Sequence, residues 1–127
     1  MHNFTFNHIA LSVRDVDESI AFYQEVFQFK EIENTASQSK TRWLSLNEGK
    51  QLHLIPRPNA VIKTNKAVHF ALSTSDLDAF VRNLKELKIE FSDWLDKPNS
   101  VYIRNDGIRQ IYFQDPNGYW IEVNDDV

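Results

Sequence analysis

The sequence contains no cysteine. Disulfides, thiolate zinc sites and cysteine nucleophiles are therefore excluded, and any metal must be held by His, Asp, Glu or Gln. It has no excess of positive charge: 14 Lys and Arg stand against 18 Asp and Glu, for a net charge of -4 and a pI near 5.5. A nucleic-acid partner would need a basic face to neutralise phosphates, so none is expected. No apolar run approaches the roughly 20 residues that span a bilayer, so no membrane partner is expected either. Residues 1–7 carry no basic-then-apolar leader pattern, and a cytoplasmic location is the expectation. What the sequence does have is core material. Of its 127 residues, 42% are hydrophobic and 13% aromatic, ample for a folded domain of ordinary size.

The most informative feature is an internal repeat. The stretch Asn7-His8-Ile9-Ala10-Leu11-Ser12-Val13-Arg14-Asp15-Val16-Asp17 matches Val68-His69-Phe70-Ala71-Leu72-Ser73-Thr74-Ser75-Asp76-Leu77-Asp78, 61 residues later. His, Ala, Leu, Ser and both Asp recur in register. Each copy passes from an alternating, β-prone segment into a helix. The first predicts a strand over 4–13, with Asp15 opening a helix whose apolar face is Val16, Ile20, Tyr23 and Phe27. The second predicts a strand over 68–74, then an N-cap at Asp76 and a stripe of Leu77, Phe80, Val81, Leu84 and Leu87.

Further strands are predicted after each helix: 30–34, 41–46 and 51–56 in the first half, and 89–92, 100–104, 110–114 and 119–123 in the second. Asn47-Glu48-Gly49-Lys50 and Asp115-Pro116-Asn117-Gly118 read as turns. Residues 56–66, with two prolines and no periodicity, form the expected linker. The fold class is thus α+β. It comprises two tandem βαβββ modules, 1–58 and 66–127, in one domain over 1–127, with helices on one face of largely antiparallel sheets.

Alternation along the strands sorts side chains between faces. Ile9, Leu11 and Val13 face the helix, as do Phe70 and Leu72. His8, Ala10 and Ser12, and His69, Ala71 and Ser73, take the opposite face. On the closing strands His53 and Glu122 fall on that same face at matching places. If the halves are related by a pseudo-two-fold, the sheets curl around a cavity in which His8, His53, His69 and Glu122 converge. Three imidazoles and a carboxylate suit one divalent ion such as Zn, Ni, Mn, Fe or Co. His2, near the chain start, is expected at the surface.

His8 to Val13, followed by Asp15-Val16-Asp17-Glu18-Ser19-Ile20-Ala21-Phe22-Tyr23, resembles the opening module of the vicinal oxygen chelate superfamily. Phe113-Gln114-Asp115-Pro116-Asn117-Gly118-Tyr119-Trp120-Ile121-Glu122 resembles its closing segment. This superfamily includes glyoxalase I, methylmalonyl-CoA epimerase, extradiol dioxygenases, and fosfomycin- and bleomycin-resistance proteins. The resemblance implies metal ligands at His8, His69 and Glu122. His53 stands where glyoxalase I carries a carboxylate, so a proton shuttle between two carboxylates is not carried over.

The implied activity is that of a glyoxalase-like isomerase or lyase acting on a small oxygenated substrate, with Glu122 as the catalytic base. The alternatives are a fosfomycin-resistance-like transferase of thiol or water, and a non-catalytic binding protein of the bleomycin-resistance kind. A homodimer is also implied, with the metal site in many relatives shared across its interface. Arg42, Trp43, Trp94, Tyr102, Arg104 and Arg109 are further candidates for lining the pocket.

Overall fold

A computed structural model describes residues 2–127. The chain divides into two compact units, Met1–Ile62 and Lys63–Val127. The first contains β1 (His8–Val13), α1 (Val16–Phe27), β2 (Glu31–Ile32), β3 (Arg42–Ser45) and β4 (Gln51–Pro56). The second contains β5 (His69–Ser73), α2 (Leu77–Glu86), β6 (Tyr102–Ile103), β7 (Arg109–Gln114) and β8 (Trp120–Asn124). Both are βαβββ modules, as the repeat predicts.

Each helix starts where a short acid can cap it. Asp15 accepts from the Glu18 amide at 3.1 Å, and Asp76 from the Ala79 amide at 2.9 Å. The apolar stripes then decide which face turns inward. Ile20, Tyr23 and Val26 of α1 are buried, as are Leu77 and Leu84 of α2. Opposite them, Leu11, Val13, Leu52 and Leu54 form the core of the first unit, and Ile111, Phe113, Ile121 and Val123 that of the second.

The two sheets share one strand order, β1-β4-β3-β2 and β5-β8-β7-β6. In each, the opening strand runs parallel to the closing strand and the other pairings are antiparallel, so the sheets are mixed. Register makes the repeat concrete: Ala10 lies opposite His53, and Ala71 opposite Glu122. Both predicted turns form. Around Asp115, Asn117 N and Tyr119 N donate to the carboxylate at 2.9 and 3.0 Å. Gly118 then takes φ +90, a left-handed conformation that glycine adopts without strain.

Two expectations need correction. The strand expected over 89–92 does not form, and Ser92 makes only isolated bridges, to Tyr112 and Pro98. The segment meets the edge of β7 for one residue and then turns back through Asp93, whose carboxylate caps the amides of Leu95 and Lys97. The first strand begins at His8 rather than Phe4, because β4 offers partners only from Gln51 onward. Phe4 is left 90% exposed, and His2 is exposed as expected. Among the described residues no helix is long and apolar enough to cross a membrane.

Candidate metal centre

The structure brings the four candidate side chains together as two pairs, one in each unit. In the second unit, His69 Nε2 stands 3.4 Å from Glu122 Oε1. His69 Nδ1 is 2.8 Å from the Lys66 carbonyl oxygen. A carbonyl only accepts, so Nδ1 carries a proton, and Nε2 is the nitrogen that faces the carboxylate. Two lone pairs that face each other need a cation between them, either a proton or a metal. A tetrahedral ion holding ligands at about 2.1 Å would set them about 3.4 Å apart, so the pair fits a metal without rearrangement.

Glu122 is only 7% exposed, and its charge is met by donors on neighbouring strands. The Tyr112 hydroxyl donates to Oε1 at 2.8 Å, and Asn124 Nδ2 donates to Oε2 at 2.6 Å. Gln110 Nε2 approaches Oε1 at 3.4 Å and also donates to the Tyr112 hydroxyl. Cross-strand pairing places these groups, since Tyr112 lies opposite Glu122 and Gln110 opposite Asn124. Burial, with the Glu122 hydrogen bond second, pushes the Tyr112 phenol well above its ordinary value, so it remains a donor.

The first unit holds a stack. His53 is sandwiched between Trp43 (centroids 4.1 Å apart, planes 4° apart) and His8 (4.0 Å, 16°). Burial, and then the neighbouring His8, holds the His53 imidazole below its usual value and keeps it neutral. His8 Nδ1 meets Asn7 Oδ1 at 2.7 Å, and His53 Nε2 meets Gln51 Oε1 at 2.8 Å. Each ring therefore keeps one bare nitrogen, His8 Nε2 and His53 Nδ1. Near-parallel rings cannot both aim at one ion, so a shared metal requires one ring to turn. Exposed His8 is the one free to do so. Among the described residues no group of three or more His, Asp or Glu side chains is gathered closely enough to hold one ion.

The arginines considered as pocket residues are engaged elsewhere. Arg42 forms a bidentate pair with Glu31 at 2.7 and 2.8 Å and a bond to Asp17. Arg109 spans Asp78 and Asp125, both at 2.9 Å, and Arg104 pairs with Asp106. Trp43 and Trp94 do border the site, the latter edge-on to His69 at 6.2 Å. Sequence reasoning missed Tyr112, Gln110 and Lys66. The first two could have been found by folding the Asp115–Gly118 hairpin on paper, which sets Tyr112 across from Glu122.

The two βαβββ modules, each with a histidine early on its opening strand, define the class: an α+β protein of paired modules built on four-stranded mixed sheets. The model of the Glyoxalase/Bleomycin resistance protein/Dioxygenase superfamily matches residues 5–123, and the chain belongs to that superfamily. It is 28% identical to Glyoxylase I 4 of Arabidopsis thaliana, over 97% of this chain and 71% of that protein. It is 30% identical to the metallothiol transferase FosB of Lysinibacillus sphaericus, over 94% of this chain and 81% of that one. Among solved structures it resembles a variant of the fosfomycin resistance protein FosX from Listeria monocytogenes, complexed with Mn(II) and a dihydroxypropylphosphonic acid. That match has a TM-score of 0.76 at 22% identity, covering 100% of this chain and 95% of that one.

Proposed function

We propose that this protein is a metal-dependent enzyme that holds one divalent ion through His8, His53, His69 and Glu122 and acts on a small oxygenated substrate as a glyoxalase-like isomerase or lyase. The observation that carries this is the His69–Glu122 pair, with an imidazole nitrogen 3.4 Å from a buried carboxylate oxygen. The names of the relatives support it: a glyoxalase, a metallothiol transferase, and a FosX structure that holds manganese. When bound, the ion polarises the substrate oxygens that ligate it. The chain's own residues do the rest. The Lys66 carbonyl fixes the His69 tautomer, and Tyr112 and Asn124 hold the carboxylate. In the isomerase reading, Glu122 takes the proton from the substrate C–H.

One observation favours a second reading, transfer of a thiol or water to an epoxide. Both Glu122 oxygens are already held by donors, which suits a carboxylate that stays a ligand better than one that leaves to act as base. Protein offered Mn(II), Zn(II), Ni(II), Fe(II) or Co(II) should take up one ion per site by elemental analysis. His69→Ala should lose that metal. Turnover of a thiohemiacetal against that of a small epoxide, with thiol and with water, separates the two chemistries. Glu122→Gln should lower turnover at least about a hundredfold in the isomerase reading. Absence of stoichiometric uptake for every ion would leave a binding protein that keeps the fold.

A further inference from the structure

The second unit contains a cavity of about 320 Å³ beside β7 and β8, within the size range of small-ligand sites. Its place follows from register. The Ser92–Tyr112 bridge and the Tyr112–Glu122 pairing put Ser92, Tyr112, Glu122 and Ala71 in one row across the sheet. Gln114, Trp120 and His69 form the next row. Residues in such rows share a face. The outer ends of both rows line the cavity, through Ser92, Tyr112, Gln114 and Trp120. Toward the β5 side of the rows, His69 and Glu122 are the proposed metal pair. Neighbouring strands are about 4.8 Å apart, so the cavity begins one to two strands from those ligands.

Its lining decides what it can take. Half-buried Trp120 supplies open aromatic surface, buried Tyr112, Phe91 and Phe113 back the wall, and Glu90 is the one carboxylate among the lining residues. Among the described residues no lysine or arginine lines it. The Lys66 ammonium lies 5.1 Å from the Tyr112 ring centre and 5.2 Å from that of Trp120. It is committed to Asp96 Oδ1 at 2.8 Å, the Asp93 carbonyl oxygen at 2.6 Å and Ser92 Oγ at 3.0 Å. An anionic group placed here would meet the Glu90 carboxylate, while the Lys66 ammonium beside Ser92 is already paired with Asp96. A flat uncharged group would instead stack on the Trp120 indole.

We infer that this cavity is a substrate subsite for an uncharged, planar, aromatic-like group, carried by a substrate whose oxygens lie at the His69–Glu122 end. This rests on the metal-site proposal and adds the class of substrate to it. The probes are 2-naphthol and, as the anionic control, phenylphosphonate, each titrated into the whole protein with and without Mn(II). Binding is followed through the Trp120 indole and Gln114 amide resonances.

Naphthol should shift both, and Trp120→Leu should weaken its binding about tenfold or more. Wild-type manganese uptake in that variant shows that the loss is local. With Mn(II) present, the bound naphthol protons should broaden, which places the subsite beside the ion. Naphthol that binds wild type and Trp120→Leu equally, or phenylphosphonate that binds more tightly than naphthol, overturns the inference. Naphthol binding in a protein that takes up no metal leaves the cavity assignment standing and overturns the metal proposal instead.

Discussion

A carboxylate buried beside an imidazole depends on whatever hydrogen-bonds its oxygens, and for Glu122 the main donors are Tyr112 and Asn124. Removing a donor from a buried carboxylate costs about 1–3 kcal/mol. Tyr112→Phe deletes one hydroxyl, leaves the ring, and leaves Gln110 only its longer 3.4 Å approach to Glu122 Oε1. Since the groups behind a ligand tune its affinity about 10–100-fold, we expect Tyr112→Phe to keep the fold and bind metal at least about tenfold more weakly. Competition against a chelator reads this directly. An unchanged affinity would mean that Asn124 alone orients the carboxylate. Lys66 works at the same scale by another route. Its carbonyl fixes His69 while its ammonium gathers Asp93 and Asp96, so one residue of the expected linker ties the 92–96 loop to the imidazole.

The helices show how local chemistry selects the element boundaries. With only three glycines in the chain, left-handed positions fall to other residues. Gln28 ends α1 at φ +60 and donates its amide to the Gln24 carbonyl at 2.8 Å. A Cβ in that conformation costs about 1–2 kcal/mol, which glycine avoids at the expense of a more flexible unfolded chain. Gln28→Gly should therefore stabilise the protein by up to about 1 kcal/mol. Asp76→Ala, which removes the α2 cap, should destabilise it by about 1 kcal/mol. Urea unfolding of both variants checks the two signs together.

The same local chemistry is why so much was legible beforehand. Caps at Asp15 and Asp76, period-2 faces through His8 and His69, and the Asp115–Gly118 turn are all written within a few residues of sequence. The segment 89–92 was misread because its composition suits a strand while the partners that would make it one do not run alongside. The His8–His53–Trp43 stack was hidden for a related reason: which rings meet across strands depends on register, and register appears only once the sheet is formed.

At the scale of the whole molecule, the issue is how two half-sites become one. Neither His8 with His53 nor His69 with Glu122 completes a metal shell alone, since structural and catalytic ions of this kind take three or four protein ligands. In the proposed metal site one ion would link the pairs, either within one chain or between two copies. We propose the second arrangement, a homodimer in which His8 and His53 of one chain meet His69 and Glu122 of its partner. This has a consequence that a site within one chain cannot mimic. His8→Ala and Glu122→Ala each abolish metal uptake as pure proteins. Mixed, unfolded and refolded together, they form heterodimers in which one site lacks both residues and the other is wild type. About one quarter of the wild-type metal content should return on statistical mixing, with activity in proportion. If both variants refold as they do separately and the mixture stays metal-free, each site is complete within its own chain.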